Sequence, residues 1–226
     1  MPAKQPERKA RDAMATVTDT DVDLDRGLMA LGLVLDARQR TQLGDYLALL
    51  AKWNKTYNLT AIREPARMVT HHALDSLAVL PHLPSAPSLR VLDVGSGGGL
   101  PGIPIAIARP DWRVAMVDPV HKKAAFLTQA AIELGLHNTT VHATRVEELR
   151  ADAPFDIVIS RAFADLATFA HASSRHLAPH GVLVAMKGVL PAGEIAALGG
   201  AYAVDSIPLH VPGLDAERHL VFMRTP

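Results

Sequence analysis

The chain has 226 residues, 49% of them hydrophobic. Its 23 basic and 23 acidic side chains give a formal net charge of +0, so any site for a polyanion must come from local clustering of basic residues. It contains no cysteine, which excludes disulfides, thiolate metal sites and a cysteine nucleophile. The N-terminus is polar and no run of about 18 apolar residues occurs, which predicts a cytoplasmic protein without a membrane segment.

The first part of the chain is predicted to be helical. Residues 1–18 are polar and mildly basic, which predicts a disordered tail. Acidic first turns and apolar stripes then predict three helices, over residues 19–32, 36–57 and 64–80. Trp53 and Tyr57 lie on the apolar face of the second helix and are expected to pack in the core, the alternative being stacking on bases. With the prolines that follow, residues 19–87 are predicted to form a helical N-terminal lobe and linker.

From residue 88 to residue 226 the pattern changes, and short apolar runs alternate with helical stretches. Such alternation predicts an α/β domain with a doubly wound, mostly parallel sheet of seven strands. The strands are expected at Arg90–Val94, Arg113–Val117, Thr139–His142, Phe155–Ile159, Gly181–Met186, Tyr202–Leu209 and His219–Arg224. The helices between them are expected at 101–108, 121–134, 166–177 and 191–198. Ligands bind such sheets beyond the carboxyl ends of the strands.

One stretch, Arg90–Gly102, indicates what the domain binds. The first strand runs directly into Gly95-Ser96-Gly97-Gly98-Gly99, and an apolar helical segment follows. Glycine permits a positive φ and lets a ligand approach the backbone closely, and the helix behind the turn presents free N–H groups. The stretch therefore predicts a loop that holds a nucleoside cofactor.

Two cofactors compete for this loop. A dinucleotide site expects G-x-G-x-x-G directly after the strand, but that pattern fails from Gly95 and fits only from Gly97. A site for S-adenosylmethionine (SAM) expects an acid in the strand and then G-x-G-x-G, which Asp93, Gly95, Gly97 and Gly99 satisfy. Asp118 suits both cofactors, since a carboxylate accepts from both ribose hydroxyls. The sequence favours SAM over NAD, and a turn without a ligand is the third alternative.

The residues after the fourth strand limit what could be methylated. They are Ser160-Arg161-Ala162-Phe163, so the Asn/Asp-Pro-Pro-aromatic motif of exocyclic amine methylation is absent, and pyrimidine C5 methylation would need a cysteine. A purine N7 has its own lone pair and needs positioning more than a base. Arg161 and Lys187 are the candidate catalytic residues, the alternatives being an ion pair at the strand end and a solvated lysine.

A metal site is not expected, although the chain has 11 histidines. No H-E-x-x-H motif occurs, and the adjacent His71 and His72 face apart on a helix. His176 and His180 are four residues apart, but Pro179 interrupts a helix between them.

Several stretches together resemble one family. They are Lys52–Lys55, Tyr57–Thr60, His72 with Leu74–Ser76, Asp93–Gly97, Gly99–Pro104, Arg145–Glu148, Ile159–Phe163, Lys187-Gly188 and Glu217–Leu220. Over about residues 40–224 the chain resembles the RsmG (GidB) family, the bacterial small-subunit ribosomal RNA guanine-N7 methyltransferases. Ser96 and Gly98 depart from the family pattern, where other members carry Thr and Pro.

The resemblance implies a class I SAM-dependent methyltransferase with a helical N-terminal extension, which methylates N7 of a guanine in the 530 loop of 16S rRNA and releases S-adenosylhomocysteine (SAH). It implies cofactor contacts at Gly95, Leu100, Val146, Glu147 and Arg161, with Asp118 at the ribose, and the strand and glycine motif adds Asp93, Ser96, Gly97 and Gly99. From their positions, the expected catalytic residues are Arg161, Lys187 and Asn58, where Asn58 ends the helical lobe across the cleft. The partner would be 16S rRNA in the small ribosomal subunit or its assembly intermediate, and the protein would be a monomer.

The neutral net charge fits poorly with an RNA substrate, since phosphate contacts dominate RNA affinity. A local basic face is therefore expected, formed by Lys52, Lys55, Arg63, Arg67, Arg161 and Lys187. Two alternatives to the enzyme remain, a non-catalytic module that binds SAM or RNA and an NAD-dependent oxidoreductase.

Overall fold

A computed structural model describes residues 23–161 and 163–225, which fold around a seven-stranded sheet. The strands are β1 (Arg90–Val94), β2 (Arg113–Val117), β3 (Thr139–His142), β4 (Phe155–Ser160), β5 (Leu177–Lys187), β6 (Ala203–Pro208) and β7 (His219–Arg224). Their order in the sheet is β3-β2-β1-β4-β5-β7-β6, with β7 antiparallel to both of its neighbours and the other pairs parallel. The predicted fold class is confirmed.

The helices lie between the strands and before them. They are α1 (residues 23–30), α2 (Ala37–Tyr57), α3 (Pro65–Met68), α4 (Asp75–Leu77), α5 (Gly102–Ala108), α6 (His121–Glu133), α7 (Leu166–Ser173) and α8 (Ala192–Ala197). A π-helical segment, Val69–Leu74, joins α3 to α4, so the predicted third helix is one rod with a wide turn in its middle. The predicted tail and the start of the first predicted helix lie outside the described residues.

A capping box fixes the start of α2. The Asp36 carboxylate accepts from the Gln39 N–H at 2.8 Å, and the Gln39 side chain accepts from the Asp36 N–H at 2.9 Å. The helix ends at Asn58, whose φ of 50° turns the chain away. The Gln39 amide also donates to the Ile107 carbonyl at 2.9 Å, which ties the start of α2 to the end of α5.

The largest difference from the sequence prediction lies at β5. We expected a helix up to Leu177 and a strand from Gly181, but α7 ends at Ser173 and β5 begins at Leu177. Leu177 pairs with Phe155, and the register shifts before the next pair because His180 takes a φ of 66°. Gly181 has no room for a side chain there, since a Cβ would lie 2.9 Å from the Phe155 carbonyl oxygen.

One apolar cluster joins the N-terminal helices to the sheet. Leu43 and Leu50 of α2 pack in the same cluster as Val91 of β1, Ile103 of α5 and Phe126 of α6. A second cluster covers the other face of the sheet, under α7. The two parts on either side of the predicted boundary, between residues 87 and 88, therefore share a core, and their division into separate domains stays a prediction.

The two aromatic residues at the end of α2 differ in burial. Trp53 is half-buried, with its ring 5.6 Å edge-on from Phe126, and the Tyr57 ring lies 5.2 Å from that of Trp53. Tyr57 is 38% exposed, so the prediction that it packs in the core is wrong. The reason is its place, since α2 ends at this residue and the chain turns at Asn58.

No helix in residues 23–161 and 163–225 is long and apolar enough to cross a membrane. Within the same ranges, no group of three or more His, Cys, Asp or Glu side chains lies close enough together to hold a metal ion.

Candidate active site

The glycine loop follows β1 and reaches the end of β2, at the carboxyl edge of the sheet. Gly95, Gly97 and Gly99 have φ angles of 73°, 56° and 86°, a region that residues with side chains rarely adopt. The Gly95 N–H donates to the Val117 carbonyl at 2.9 Å. The Ser96 hydroxyl is buried and donates to the Asp93 carbonyl at 2.9 Å, so Ser96 fastens the loop to its own strand.

The loop has one packed face and one open face. A Cβ at Gly98 would lie 3.1 Å from Leu50 of α2, and one at Gly99 would overlap Ile103. A Cβ at Gly95 would meet no heavy atom within 4 Å, and one at Gly97 would meet only the Gly95 carbonyl oxygen, at 3.8 Å. The backbone at Gly95 and Gly97 is therefore accessible to a ligand.

Asp93 is a fully buried acid beneath this loop. Its Oδ2 accepts from the Gly102 N–H at 2.9 Å, while its Oδ1 has no hydrogen-bond partner among the described residues. Burial raises the pKa of Asp93 to about 7, and the Gly102 and Ser96 hydrogen bonds and the Arg161 charge partly oppose this rise. The free oxygen can thus accept from a cationic or N–H donor.

Asp118 directly follows β2 and hydrogen-bonds to the glycine loop. Its Oδ2 accepts from the Gly97 N–H at 3.0 Å and its Oδ1 from the Val120 N–H at 2.9 Å. The Lys123 ammonium lies 3.7 Å from the carboxylate. Asp118 therefore holds the glycine loop in place, and each oxygen keeps a lone pair for another donor.

The predicted contacts after β3 lie on a short 3₁₀ segment, Val146–Glu148. Val146 is buried and its carbonyl accepts from the His176 ring at 2.8 Å, whereas Glu147 is exposed. Leu100, at the end of the glycine loop, is half-buried against the core.

Arg161 follows β4 and faces a buried acid on the other side of the cleft. Its Nη1 lies 3.4 Å from Oδ2 of Asp75, so the ion pair weighed as its alternative role is formed. The same Nη1 is buried and makes no hydrogen bond to any described residue. The Arg161 charge lowers the pKa values of both Asp93, beneath the glycine loop, and His72, in the π-helical segment. Its neighbour Ala162 lies outside the described residues.

Lys187 forms an ion pair within the fold. Its ammonium lies 2.9 and 3.2 Å from the two carboxylate oxygens of Glu194 on α8, and that carboxylate also accepts from the Leu166 N–H at 2.8 Å. Two members of the expected basic face, Arg161 and Lys187, are thus each paired with an acid. The alternative of a solvated lysine is wrong for Lys187, because only 14% of its side chain is exposed.

Asn58 lies at the mouth of the site. It is exposed, and its side-chain oxygen accepts from Arg63 at 3.3 Å. The next residue, Leu59, abuts the glycine loop, since a Cβ at Gly98 would lie 3.9 Å from the Leu59 carbonyl oxygen. Asn58 is therefore the first exposed side chain beside the loop.

Two buried side chains hold the segment after Asn58. The Asn54 oxygen accepts from the Thr60 N–H at 2.9 Å. The His72 ring is 2.9 Å from the Thr60 hydroxyl and 2.9 Å from the His71 carbonyl. Because a carbonyl only accepts, Nδ1 of His72 carries a proton. Burial lowers the pKa of His72 to about 4, so the ring is neutral at pH 7 and Nε2 accepts from the Thr60 hydroxyl.

This arrangement predicts a pH-dependent contribution to stability. Burial and the Arg161 charge lower the pKa of His72 to about 4. The neutral His72 ring therefore adds its full share to the free energy of unfolding above about pH 6.5, and this share is lost as the pH falls toward 4. The free energy of unfolding of His72→Gln should lie below that of the wild type at pH 7. Between pH 7 and pH 4.5 the gap should narrow by about 2 kcal/mol.

Urea unfolding at the two pH values measures this gap. The raised pKa of Asp93 has the opposite effect, since its contribution falls as the pH rises toward 7, but it is common to both proteins and cancels in the difference. The exposed His137→Gln is the control, for which a constant and small difference is expected. A constant gap for His72→Gln would show that the neutral ring does not stabilise the fold.

Sequence reasoning missed several residues of the site. Tyr46 of α2 is buried and its hydroxyl donates to the Gly98 carbonyl at 2.6 Å. Asp75 pairs with Arg161 and is itself held by Arg218, and Glu194 pairs with Lys187. The helical apolar pattern predicts that Tyr46 lies in the core, but it does not predict a hydrogen bond from its hydroxyl to the glycine loop, 52 residues further along the chain.

A cavity of about 950 Å³ lies at the opposite edge of the sheet. It is lined by the first residues of four strands, Arg90, Arg113, Thr139 and Phe155. In doubly wound sheets ligands bind at the carboxyl edge, so the open glycine loop, and not this cavity, is the candidate active site.

The sheet order and the glycine loop are those of class I SAM-dependent methyltransferases. A SAM-dependent methyltransferase from Aquifex aeolicus aligns with a TM-score of 0.57 and 17% identity, covering 77% of this chain and 97% of that one. The N-methyltransferase NodS from Bradyrhizobium japonicum, in complex with SAH, aligns with a TM-score of 0.54 and 16% identity, covering 79% of this chain and 98% of that one. At such identities the likeness establishes the fold.

Sequence comparison identifies the family. A family model described as GidB, rRNA small subunit methyltransferase G, matches residues 39–221, and the chain belongs to this family. The ribosomal RNA small subunit methyltransferase G of Chromobacterium violaceum is 54% identical over 202 residues, covering 89% of this chain and 96% of the relative. That of Ralstonia nicotianae is 52% identical over 218 residues, covering 93% and 98%. The predicted family, the methyltransferase activity and the SAM cofactor are confirmed.

Proposed function

We propose that this protein transfers a methyl group from SAM to N7 of a guanine in the 530 loop of 16S rRNA. The observation that carries the proposal is two buried polar atoms of opposite charge at the carboxyl edge of the sheet. Neither makes a hydrogen bond to a described residue, although one of them lies within ion-pair distance of Asp75. These are Oδ1 of Asp93 and Nη1 of Arg161, which come from the neighbouring strands β1 and β4. Buried polar groups without partners are rare and call for a partner from outside the chain.

The amino-acid end of SAM matches this pair. Its ammonium group would donate to Asp93 and its carboxylate would accept from Arg161, so that both buried charges are compensated. The open backbone at Gly95 and Gly97 leaves room for the rest of the cofactor. Asp118 would accept from the ribose hydroxyls.

The remaining predicted contacts complete the cofactor site. The segment with Val146 and Glu147 follows β3, next to β2, and would border the adenine. Leu100 would pack against the cofactor at the end of the glycine loop, and Gly99 keeps that end close to α5. Ser96 acts indirectly, since its hydroxyl fastens the loop to β1.

SAM supplies a methyl group on a positively charged sulfur, and the chain has to bring a nucleophile in line with it. The described residues around Arg161 leave no base for the nucleophile. His72 is neutral and donates and accepts within the fold, Lys187 is held by Glu194, and the free oxygen of Asp93 would accept from the ammonium group of SAM. A site of this kind suits a nucleophile with its own lone pair, such as guanine N7, which needs positioning and exclusion of water. We assign Arg161, Lys187 and Asn58 to that positioning.

The surface for RNA would lie where α2 and α6 meet. The two helices run antiparallel, because Gln42 donates to the Leu134 carbonyl while Trp53 packs on Phe126. The end of α2 therefore lies beside the start of α6. Exposed basic side chains gather here and on the segment that follows α2, namely Lys52, Lys55, Arg63, Arg67, His121 and Lys122. Such a cluster supplies the phosphate contacts that the neutral net charge does not.

The partner is 16S rRNA within the small ribosomal subunit or its assembly intermediate, and the protein acts on it as a monomer in the cytoplasm, where ribosomal RNA is found. The family description and the names of the relatives support the RNA of the small subunit as the substrate. Recognition of a folded RNA by shape suits a single domain with one basic face.

Transfer of labelled methyl groups tests the proposal. The protein, methyl-tritiated SAM and small subunits from a strain that lacks the modification are expected to give label in 16S rRNA. Borohydride and aniline treatment should cleave the product at a guanine of the 530 loop, because N7-methylation labilises the base. SAH binding without any transfer would favour the non-catalytic module, and label at a different atom would overturn the assignment to N7.

A further inference from the structure

Asp75 is a buried acid that no predicted role accounts for. It is 1% exposed and is the first residue of α4, directly after the π-helical segment Val69–Leu74. A π-helical turn shifts the register of the residues that follow it, and such turns are frequent at functional sites. Here the residue that follows the π-helical turn is Asp75, and its carboxylate faces Arg161 at the end of β4.

Two arginines share this carboxylate. The Arg218 Nε donates to Oδ1 at 2.9 Å, and the Arg161 Nη1 lies 3.4 Å from Oδ2. They reach Asp75 from different parts of the chain, since Arg161 follows β4 and Arg218 precedes β7. Both oxygens of the carboxylate are thereby occupied, and a buried acid is compensated by two cations.

The two contacts differ in kind. Arg218 makes a hydrogen bond, whereas Arg161 is close enough for an ion pair but its Nη1 makes no hydrogen bond to the described residues. The carboxylate therefore fixes where the Arg161 guanidinium lies and leaves its N–H groups free to donate elsewhere. Arg218 holds the carboxylate itself and keeps it from turning fully toward Arg161.

We propose that Asp75 is a positioning residue, which holds Arg161 so that its Nη1 donates to the carboxylate of the amino-acid end of SAM. The inference rests on the proposed function, because it concerns the cofactor that Arg161 would contact. The three groups together carry one net positive charge, which suits an anionic partner. A loss of Asp75 should weaken cofactor binding through Arg161 and leave RNA binding unchanged.

Binding of SAH to Asp75→Asn, measured by calorimetry, tests this directly. We expect the affinity to fall about tenfold or more, since the arginine that makes a charge-assisted hydrogen bond is no longer held in place. The KM for SAM should rise by a similar factor, while kcat at saturating SAM and the KM for RNA change little. A variant that binds SAH as tightly as the wild type would overturn the proposal.

A double variant separates positioning from a purely structural role. If Asp75 acts through Arg161, then Asp75→Asn should cost little further SAH affinity in a protein that already carries Arg161→Ala. An equal loss in both backgrounds would refute action through Arg161. Asp156→Asn is the matched control, because Asp156 accepts from the Arg90 N–H at the opposite edge of the sheet. Its SAH affinity should match that of the wild type.

A second variant keeps the test decisive if Asp75→Asn does not fold. Arg218→Gln leaves the carboxylate to Arg161 alone, so Arg161 is drawn toward Asp75 and SAH affinity should fall severalfold. Arg224→Gln is its control, since Arg224 pairs with Asp205 on the exposed edge of the sheet. Unchanged SAH affinity in Arg218→Gln would count against the shared carboxylate.

These outcomes are distinct from a failure of the proposed function. If the wild type binds SAH but labels no small-subunit RNA, the proposed substrate is wrong, and the SAH measurements still decide the role of Asp75. If the wild type labels the RNA and the Asp75 variants bind SAH normally, only the inference about Asp75 fails.

Discussion

Replacement of Arg161 by alanine should reduce methyl transfer to small-subunit RNA by at least about a hundredfold. Arg161 supplies a buried N–H group that makes no hydrogen bond to the described residues, and we expect its loss to leave the amino-acid end of SAM without its counter-charge. A cofactor that is displaced by a fraction of an ångström presents its methyl group out of line with the guanine. The variant should still fold, because Asp75 keeps its 2.9 Å hydrogen bond to Arg218.

Single-turnover transfer of labelled methyl groups measures this effect, with the thermal unfolding midpoint of each protein recorded alongside. Arg224→Ala serves as the control, since Arg224 is exposed at the end of β7 and its ion pair is with Asp205 of the edge strand β6. It should retain the activity of the wild type. Near-normal turnover in Arg161→Ala would remove Arg161 from the site.

Replacement of Gly95 by alanine should abolish detectable SAH binding at concentrations that saturate the wild type. The added methyl group would enter the open face of the loop, where the structure has no heavy atom within 4 Å and where the cofactor is expected to lie. Gly95 also has a φ of 73°, so the substitution strains the backbone by about 1–2 kcal/mol. That strain reduces stability but leaves the sheet intact.

Gly199→Ala separates the two effects. Gly199 has a φ of 58° and also no heavy atom within 4 Å of a Cβ, but it follows α8, away from the glycine loop. Both variants should lose a similar part of the free energy of unfolding in urea, and only Gly95→Ala should lose SAH binding in calorimetry. Equal SAH affinities in the two variants would mean that the cofactor does not approach Gly95.

The sequence predicts the parts of this fold that depend on local pattern. Short apolar runs predict β1, β2, β3 and β7 with their observed bounds, because each of these strands is one continuous run that ends at turn residues. The glycine loop is equally predictable, since positive φ angles favour glycine. Asp93 could be assigned to the site from its place in the strand alone.

What the sequence could not predict depends on contacts between distant segments. Asp75 and Arg218 meet across 143 residues, and although both stand in stretches that resemble the family, neither stretch indicates that the two side chains pair. Lys187, the last residue of β5, could be predicted as a cation at the carboxyl edge of the sheet, but its pairing with Glu194 could not. The π-helical segment Val69–Leu74 has an ordinary helical pattern, and its wide turn follows from the packing around it.

The hydrogen bond from the Tyr46 hydroxyl to the Gly98 carbonyl has a consequence for any shortened form of this enzyme. A chain that began at residue 88 would keep every strand and every predicted contact to SAM. It would lose the donor for Gly98, the Leu50 side chain beneath the same glycine, and the cover of one face of the sheet. The helices before residue 88 therefore support the glycine loop directly, and we expect that a minimal catalytic fragment has to include them.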